Sequence, residues 1–411
     1  MTRDILARFR FLAFSASPSR SSPSRRDVAR SIGLAAAAVA VGVVAWSGVV
    51  LTLPVAMAFP ALWARARSRA SAAGVAAAYF LGASRGVPPG AATFYGSSMA
   101  WGLALWVIAS LAFVVVHALL WTAEAGPQRT ARYAAAAFLM SVPPLGIVGW
   151  AHPLTAAGVL FPEWGWLGLT ACVIALLAMT TAARWIASAI LAACWLWSAI
   201  TWTSPWPPEG WAGIDLAMGA RLGRDNDLDR HRALVATVAA AAGRGARVVV
   251  LPESALGLWT PTVARFWADG LETIDVTVIA GAAVVDPDGY DNVLVAIDPR
   301  AGRVLYRQRM PVPVLMWQPW LNWLGQNGSA HADFFGNPLV TVGGRQIAPL
   351  ICYEQLIIWP VLQSMAQRPD VILAVGNDWW TSGTSIMAIQ RESVVAWARL
   401  FGVPVVAAFN R

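Results

Sequence analysis

The chain has 411 residues, of which 57% are hydrophobic and only 13% are charged. Soluble globular chains carry about 25% charged residues, so this composition excludes a wholly soluble protein and requires a part that lies in lipid. The net charge of +8 belongs to the first half, because residues 1–203 carry 14 Arg and 4 acidic residues, whereas residues 204–411 carry 16 Arg and 18 acidic residues. The slightly acidic second half argues against direct nucleic acid binding.

The first 30 residues are polar and rich in Arg and Ser, which is typical of a cytoplasmic segment before a membrane helix. A cleaved signal peptide is the alternative, but the apolar run that follows continues past Leu53 without a clear cleavage site. Seven apolar segments follow, and several reach the ~20 residues that span a bilayer. They are residues 31–47, 49–63, 70–84, 97–121, 133–150, 164–182 and 185–203.

Arginine clusters predict the direction of these segments, because cytoplasmic loops of membrane proteins are enriched in Arg. Beyond the N-terminus, the clusters are Arg65, Arg67 and Arg69, and then Arg129 and Arg132. If all of them are cytoplasmic, residues 31–63 cross twice. The chain then forms a bundle of about seven transmembrane helices over residues 31–203, and the residues that follow lie in the periplasm. Six crossings would leave it in the cytoplasm, and we favour seven.

The pattern changes after Pro205, Pro207 and Pro208 to short β-rich runs that alternate with helices. This alternation predicts an α/β domain over residues 204–411. The expected helices are 231–243 and 384–401. The β-rich runs are 246–251, 276–280, 293–297, 339–342, 347–351 and 371–375.

Two of the β-rich runs end directly in polar residues, Glu253 in one case and Cys352 in the other. Reactive groups in open α/β sheets lie at the C-terminal ends of strands, so these two side chains are candidates to meet across one cleft. The carboxylate would accept the thiol proton, and the thiolate would attack a carbonyl or nitrile carbon. Taken singly, a Glu in this position is also typical of a cap or ion pair, and a single Cys of core packing.

Together, "VVVLPESAL", "PLICYE" and "VGNDWW" resemble the nitrilase superfamily of carbon–nitrogen hydrolases. "YDNVLVAIDPRAGRVLYR" resembles that family's strand pair before its lysine, and "SIMAIQRESVVAWARLFGVPVVAAFN" its helix and strand after the Asn-Asp motif. With apolar helices in front, the chain is similar to the membrane apolipoprotein N-acyltransferases. "YRQRMPVPV" and "LICYEQLIIWPVLQS" also resemble acyltransferase-like proteins of plasmid conjugal transfer. The resemblance implies a transmembrane bundle at the inner membrane, followed by an α-β-β-α sandwich that is short at its C-terminus.

The resemblance also implies roles for individual residues. Cys352 is the expected nucleophile and Glu253 the general base, while the Tyr353 backbone N–H helps to bind the oxyanion and Glu354 orients the cleft. Asn377 and Asp378 either shape the cleft or form a strand-end turn. In the membrane acyltransferases a phospholipid donates an acyl chain to the thiol, which passes it to an amine of a lipoprotein. Membrane lipid and a protein or peptide amine are therefore the implied partners, and no cofactor is implied.

The chain departs from the family at its third catalytic residue, a lysine. Aligning the Val-Pro of residues 312–313 with the family's motif puts Gln308 at the lysine and Met316 at the glutamate that follows. The whole chain lacks Lys, so no shift of register recovers it. Arg307 or Arg309 is the alternative oxyanion donor, although a guanidinium is bulky, planar and a poor proton donor. Losing such a donor costs about 10²–10³ in rate.

Two functional hypotheses stay open. The first is a thiol-dependent N-acyltransferase or amidase that acts through Cys352 and Glu253. The second is a non-catalytic relative that serves as an inner-membrane component of plasmid conjugation and contacts other conjugation proteins. The substitution at Gln308 favours the second, and the retained Cys and Glu favour the first. No metal is expected, because the four His residues lack metal-ligand spacing; they are His117, His152, His231 and His331.

Overall fold

The computed structural model describes residues 24–221 and 228–411. Most of the segment expected to be cytoplasmic, residues 1–23, therefore lies outside the described residues. The remainder of that segment is not a polar tail, because the first helix begins at Arg25 and not at residue 31. Ser24 caps this helix by accepting a hydrogen bond from the Asp27 N–H, and an N-terminal Ser of this kind satisfies one of the free N–H groups of the first turn.

The first half is helical. Its α-helices are α1 (Arg25–Ala45), α2 (Phe59–Ala64), α3 (Arg69–Ala83), α4 (Val87–Tyr95), α5 (Met99–Leu120), α6 (Pro127–Leu139), α7 (Ala157–Leu160), α8 (Gly165–Met179) and α9 (Arg184–Ile200). A 3₁₀ helix, Val50–Ala58, precedes α2. By length and composition, α1 and α5 are long and apolar enough to cross a membrane, whereas α8, α9 and the segment Val50–Ala64 are shorter apolar helices.

One end of the helical region is rich in arginine, and we call it the arginine end. The starts of α1, α3, α6 and α9 meet there with the ends of α2, α5 and α8. Arg30 of α1 donates a hydrogen bond to the Arg65 carbonyl, and Arg129 of α6 donates to the Ala64 carbonyl. The arginine clusters that are separate in sequence are therefore neighbours in the fold.

The opposite end of the helical region packs against the C-terminal domain. The Tyr353 hydroxyl donates to the Ile147 carbonyl beyond α6, and Arg399 donates to Ser198 near the end of α9. The described chain therefore passes seven times between the two ends. The passages are α1, the segment Val50–Ala64, α3, α5, α6, α8 and α9.

One expected apolar segment, residues 133–150, is not a single helix. It starts within α6, which begins at Pro127, and leaves that helix after Leu139. Turns and a short 3₁₀ helix, Leu145–Val148, follow. Pro and Gly residues explain the break, because Pro removes a helical hydrogen bond and Gly favours irregular backbone. Four such residues lie here: Pro143, Pro144, Gly146 and Gly149.

Among the described residues, the second half contains ten strands in two sheets. They are β1 (Trp211–Gly213), β2 (Val248–Val250), β3 (Thr277–Val285), β4 (Gly289–Ile297), β5 (Gly302–Arg307), β6 (Ser329–Ala330), β7 (Val340–Val342), β8 (Arg345–Ile351), β9 (Val371–Asn377) and β10 (Val405–Asn410). The first sheet has the order β1-β2-β3-β4-β5, with β6 beside β4, and the second has the order β10-β9-β8-β7. The helices are α10 (Leu228–Gly243), α11 (Pro261–Leu271), α12 (Trp320–Trp323), α13 (Ile358–Met365) and α14 (Ile386–Phe401).

The sheets form the middle of a four-layered α-β-β-α arrangement, as expected. Side chains alternate across a strand, and in β2 this sends Val249 toward α10 and α11 and Val250 toward the second sheet. In β8, Ile347 faces the first sheet, whereas Leu350 faces α13, α14 and the helical region. The apolar residues that pack around Leu350 are continuous with the core of the helices, so the two halves share one hydrophobic core.

All six expected β-rich runs contain strands, and the two expected helices correspond to α10 and α14. The prediction was incomplete elsewhere. It missed β1 and β6, which have three and two residues, and it missed α11 and α13. β1, β6 and α13 have too few residues for a clear periodic pattern, whereas α11 has eleven residues and buries Val263, Trp267 and Leu271 at helical spacing, so its pattern was available and was overlooked.

Candidate active site

Cys352 lies where β8 ends and a 3₁₀ helix, Cys352–Gln355, begins. Its backbone has φ of 50°, a left-handed conformation that is uncommon for a side chain other than glycine and that is often held at functional sites. The side chain is 4% exposed. Burial and the neighbouring carboxyl of Glu253 raise the pKa of the Cys352 thiol well above its ordinary value, so the resting side chain is the neutral thiol.

Glu253 follows β2 and is buried beside Cys352. Its Oε1 atom accepts a hydrogen bond of 2.6 Å from Asn292 Nδ2, while Oε2 has no partner of standard geometry among the described residues. Burial raises the pKa of the Glu253 carboxyl to about 7, and the hydrogen bonds from Asn292 and Cys352 oppose that shift. A carboxyl with this pKa can both accept and return a proton near neutral pH.

Glycine at position 281 allows Glu253 to lie where it does. Gly281 is in the middle of β3, and a Cβ atom there would come within 2.4 Å of the Glu253 Cα. Any larger residue would push the Glu253 loop away from the sheet. Close approach of one backbone to another is a common reason for a glycine within a strand.

Gln308, which the sequence comparison puts at the family's lysine, lies in the site. It is buried directly after β5. Its Oε1 atom accepts a hydrogen bond of 2.9 Å from Asn292 Nδ2, and its Nε2 atom donates one of 3.0 Å to the Ile351 carbonyl. A neutral amide therefore stands near Glu253 where the family has an ammonium group, which leaves burial as the main influence on the Glu253 pKa.

The two arginines beside Gln308 have partners away from the thiol, so this structure does not place either of them as an oxyanion donor. Arg307 is exposed and forms an ion pair with Asp291. Alternation explains this, because Arg307 and the buried Tyr306 point to opposite faces of β5. Arg309 is fully buried, and all three guanidinium nitrogens donate hydrogen bonds. The acceptors are the Tyr306 hydroxyl, Gln363 Oε1, the Pro360 carbonyl and the Ser364 hydroxyl.

Glu354 connects the backbone that follows β5, at Arg309 and Met310, to the backbone at the end of β8. It is completely buried, and its carboxylate accepts hydrogen bonds from the backbone N–H groups of Ile351, Arg309 and Met310. The Tyr306 hydroxyl donates to the same carboxylate. Buried carboxylates are stable only when they are hydrogen-bonded in this way, and these bonds fix two loops against each other.

Asn377 and Asp378 lie at the end of β9, where Asn377 Oδ1 accepts a hydrogen bond from Asn410 Nδ2. The Gln390 amide lies between Cys352 and Asp378. One end is 3.8 Å from Cys352 Sγ, and the other is 3.1 and 3.2 Å from the Asp378 carboxylate oxygens. Burial raises the pKa of Asp378 to about 8. A protonated Asp378 would donate to the amide oxygen and leave the amide nitrogen facing Cys352.

Cys352 lies at the edge of an apolar cavity of about 220 Å³ between the two halves of the chain. Tyr353, Leu356 and Ile389 contribute from the C-terminal domain, and α4 and α5 contribute from the helical region. On α5 the lining residues include Leu105 and Ile108, and Ile108 is 53% exposed on the helix surface. The thiol therefore borders an apolar space that reaches the outer face of a long apolar helix.

Sequence reasoning missed two polar residues of the site, Asn292 and Gln390. Asn292 directly precedes the apolar residues 293–297 of β4, and Gln390 lies on the buried face of α14 between Ile386 and Val394, so each is a buried amide beside apolar neighbours. That contrast was the available signal, because buried amides are kept where they have hydrogen-bonding partners.

One histidine lies among carboxylates in the fold, although the sequence shows no metal-ligand spacing around it. Ligand atoms of Asp286, Asp291 and His331 lie within 4.8 Å of one another at the surface. Arg307 already neutralises Asp291 there, and His331 lies 3.3 Å from the same carboxylate. Ion pairing accounts for this cluster without a metal.

Comparison with known proteins gives consistent results. A sequence profile described as carbon–nitrogen hydrolase matches residues 83–399, a range that begins within the helical region. The chain is 58% identical to the conjugal transfer protein TraB of Agrobacterium fabrum, over 100% of both chains. It is 56% identical to a probable conjugal transfer protein TraB of Sinorhizobium fredii, over 94% of this chain and 100% of the relative. Among solved structures, a Nesterenkonia amidase of the nitrilase superfamily matches 49% of this chain and 74% of its own at 14% identity, with a TM-score of 0.35.

Proposed function

Because the chain belongs to the carbon–nitrogen hydrolase family, we propose that it is a membrane-embedded thiol acyltransferase or amidase whose acyl carrier is Cys352. One observation carries this proposal. The Cys352 thiol borders an apolar cavity on one side and the Glu253 carboxyl on the other. A nucleophile next to a base, at the edge of a space that suits a hydrocarbon chain, is the arrangement that acyl transfer requires.

In the proposed first step, Glu253 Oε2 accepts the thiol proton as Cys352 Sγ bonds to the carbonyl carbon of an ester or amide. The Tyr353 backbone N–H stabilises the oxyanion, because the first N–H groups of a helix have no acceptor within it. When the tetrahedral intermediate collapses, the C–O or C–N bond breaks and Glu253 returns the proton to the leaving group. A thioester remains on Cys352. An amine or water then attacks it, and the thiol is regenerated.

The proposed acyl donor is a membrane lipid. The cavity is lined almost entirely by apolar side chains, and three of them, Leu105, Ile108 and Ala109, belong to α5. Only 28% of the most apolar window of α5 is buried, and for α1 the value is 17%. A helix with this much exposed apolar surface fits a lipid environment better than water. An acyl chain could then reach Cys352 along α5.

We propose that the helical region, residues 31–203, crosses the inner membrane and that the domain of residues 204–411 lies in the periplasm. Two features support this orientation. The arginine clusters lie together at one end of the helices, which is the cytoplasmic end by the positive-inside rule. Seven passages between the ends support a C-terminal domain on the other side. α5 has 22 residues, a length of about 33 Å.

The proposed biological setting is plasmid conjugation, with other conjugation proteins as partners. Support comes from the two relatives described as conjugal transfer proteins, which match this chain over at least 94% of its length. The acceptor of the acyl group in this setting is a protein or peptide amine.

A non-catalytic role in conjugation is the second candidate. Gln308 favours it, because an amide bonded to the Ile351 carbonyl supplies neither a positive charge nor a proton. In this case Cys352 and Glu253 would serve only to pack the domain against the helices.

Plasmid transfer between cells separates the two candidates. Catalysis predicts that Cys352→Ala reduces transfer strongly while the protein stays in the membrane at normal abundance. Cys194→Ala, in α9, is the matched control and should transfer normally. Normal transfer with Cys352→Ala would contradict the catalytic proposal. A separate fusion of alkaline phosphatase after Arg411 should be active if the C-terminal domain is periplasmic, and inactive if it is cytoplasmic.

A further inference from the structure

A second cavity, of about 1120 Å³, opens at the arginine end of the helices. We call it the arginine cavity. Ends of α1, α2, α3, α5, α8 and α9 border it together with the start of α6. Its charged lining consists of five arginines and one acid: Arg30, Arg65, Arg67, Arg129, Arg184 and Asp27.

The arginines are only partly neutralised by the protein. Asp27 pairs with Arg67 at the rim. Arg129 and Arg184 each donate to backbone carbonyls, and the guanidinium groups of Arg65 and Arg184 lie over the Trp185 ring. Carbonyls and aromatic rings orient a guanidinium without removing its charge. Arg67 pairs with the one carboxylate in the lining, so the other four arginines have no carboxylate partner there.

Four buried polar atoms in the lining lack a hydrogen-bond partner among the described residues. They are Arg129 Nε, Arg184 Nε, Trp121 Nε1 and Ser71 Oγ. Three of them can only donate, and the hydroxyl can also donate. Buried donors without acceptors are uncommon in folded proteins. These atoms are themselves enclosed, so it is the accessible guanidinium groups of the same lining that suit a ligand rich in acceptor oxygens and negatively charged, which describes a phosphate group.

The lining of the arginine cavity also has an apolar wall, which includes the buried Ala61 and Met179 and the exposed Ile32. A phosphate-bearing ligand with hydrocarbon chains therefore fits both parts of the lining. Free phosphate would satisfy the arginines but not the apolar wall.

We propose that the arginine cavity binds the headgroup of an anionic phospholipid, with the phosphate against Arg129 and Arg184 and the acyl chains along the apolar wall. Basic pockets between membrane helices at the cytoplasmic face bind lipids of this class. This inference rests on the membrane position in the proposed function but not on the chemistry of Cys352. Because seven helix ends border the cavity, the bound headgroup fastens them together and raises the stability of the bundle.

The test is thermal unfolding and lipid retention of the full-length protein, purified in a neutral detergent. The probes are cardiolipin, phosphatidylglycerol, phosphatidylcholine and inorganic pyrophosphate. We expect the two anionic lipids to raise the unfolding temperature and to remain bound in native mass spectrometry, and phosphatidylcholine to do neither. Removing two arginines with Arg129→Gln and Arg184→Gln should weaken anionic lipid binding about thirtyfold, the loss of two charge attractions to an anionic lipid.

The second variant keeps the test valid if that one fails to fold. It carries Arg30→Gln and Arg67→Gln at the exposed rim and should weaken binding in the same direction. The matched control carries Arg69→Gln and Arg132→Gln, which remove equal charge outside the lining, and it should bind as the wild type does.

Equal stabilisation by phosphatidylcholine, or unchanged binding in both cavity variants, would overturn the proposal. Stabilisation by pyrophosphate without any by the lipids would overturn the lipid assignment and keep the phosphate chemistry. Failure of the proposed function is distinguishable. Loss of Cys352 chemistry would leave these lipid effects intact, and recovery of the protein in the soluble fraction without detergent would contradict the membrane position directly.

Discussion

The two cavities at opposite ends of the same helices differ in the charge of the residues that line them. The arginine cavity collects five guanidinium groups around one carboxylate, whereas the cavity at Cys352 has no charged residue in its lining, and the carboxyls of Glu253 and Asp378 act on the thiol from outside that lining. Arg309, a fully buried cation close to Gln308, is hydrogen-bonded elsewhere through its guanidinium nitrogens. Unpaired guanidinium groups give the arginine cavity a lining that suits an anionic ligand. At the other end no cation lies in the lining, so burial is the main influence on the pKa of the Glu253 carboxyl and the Cys352 thiol.

Glu253→Gln should have the largest effect of the changes considered, a loss of Cys352 acylation rate. Gln cannot accept the thiol proton, and removing a general base typically lowers rates by about 10²–10⁴. The measurement is the rate of Cys352 acylation by a fatty-acyl ester probe, with the fold checked by circular dichroism. Asp291→Asn, a change to a surface carboxyl near the same sheet, is the control and should acylate normally. An unchanged rate in Glu253→Gln would show that this carboxyl is not the base.

Gly158→Ala tests whether the helices and the domain share one core. A Cβ at Gly158 in α7 would come within 1.6 Å of the Ala396 carbonyl oxygen in α14. The two helices would have to separate, and overpacking of this kind costs about 1–3 kcal/mol of unfolding free energy. Gly33→Ala in α1 is the control, because no heavy atom lies within 4 Å of its Cβ position. Equal stability of the two variants in denaturant unfolding would contradict a shared core.

Gln308→Lys should have a smaller effect, on the pH dependence of acylation. In the wild type the rate should rise as pH passes about 7, because Glu253 accepts a proton only when ionised and burial raises its pKa to about 7. An ammonium group at residue 308 favours the carboxylate, so the rise should move to lower pH by about one unit or more. Gln308→Met lacks the charge and should not produce that shift. A profile that is the same for Lys and Met would contradict this account of the pKa.

Sequence reasoning reached the strand ends because short continuous apolar runs that end in polar residues are a strong local signal of buried strands. Glu253 and Cys352 follow such runs, and the structure brings both to one cleft. The register of Gln308 also followed from the sequence, through the Val-Pro motif. The outward orientation of the Arg307 side chain was predictable in principle, because side chains alternate along a strand and the neighbouring Tyr306 is buried.

The remaining features depend on contacts that are distant in sequence. Arg309 lies just beyond β5, where alternation ends, and its burial depends on α13, which comes about fifty residues later. The Gln390 contact with Cys352 spans 38 residues. The arginine cavity combines residues from 27 to 184. Periodic patterns describe neighbours along the chain, so they do not reveal such pairings.

The most direct test of the central claim is the mass of the protein after incubation with membrane phospholipid and no acceptor amine. Acyl transfer through Cys352 predicts a fraction that is heavier by one acyl chain, mapped to the peptide containing Cys352 and released by hydroxylamine. Cys352→Ala should show no such adduct, and Cys194→Ala should keep it. Absence of any hydroxylamine-sensitive adduct on the wild type, under conditions where the protein is folded and supports plasmid transfer, would contradict the account.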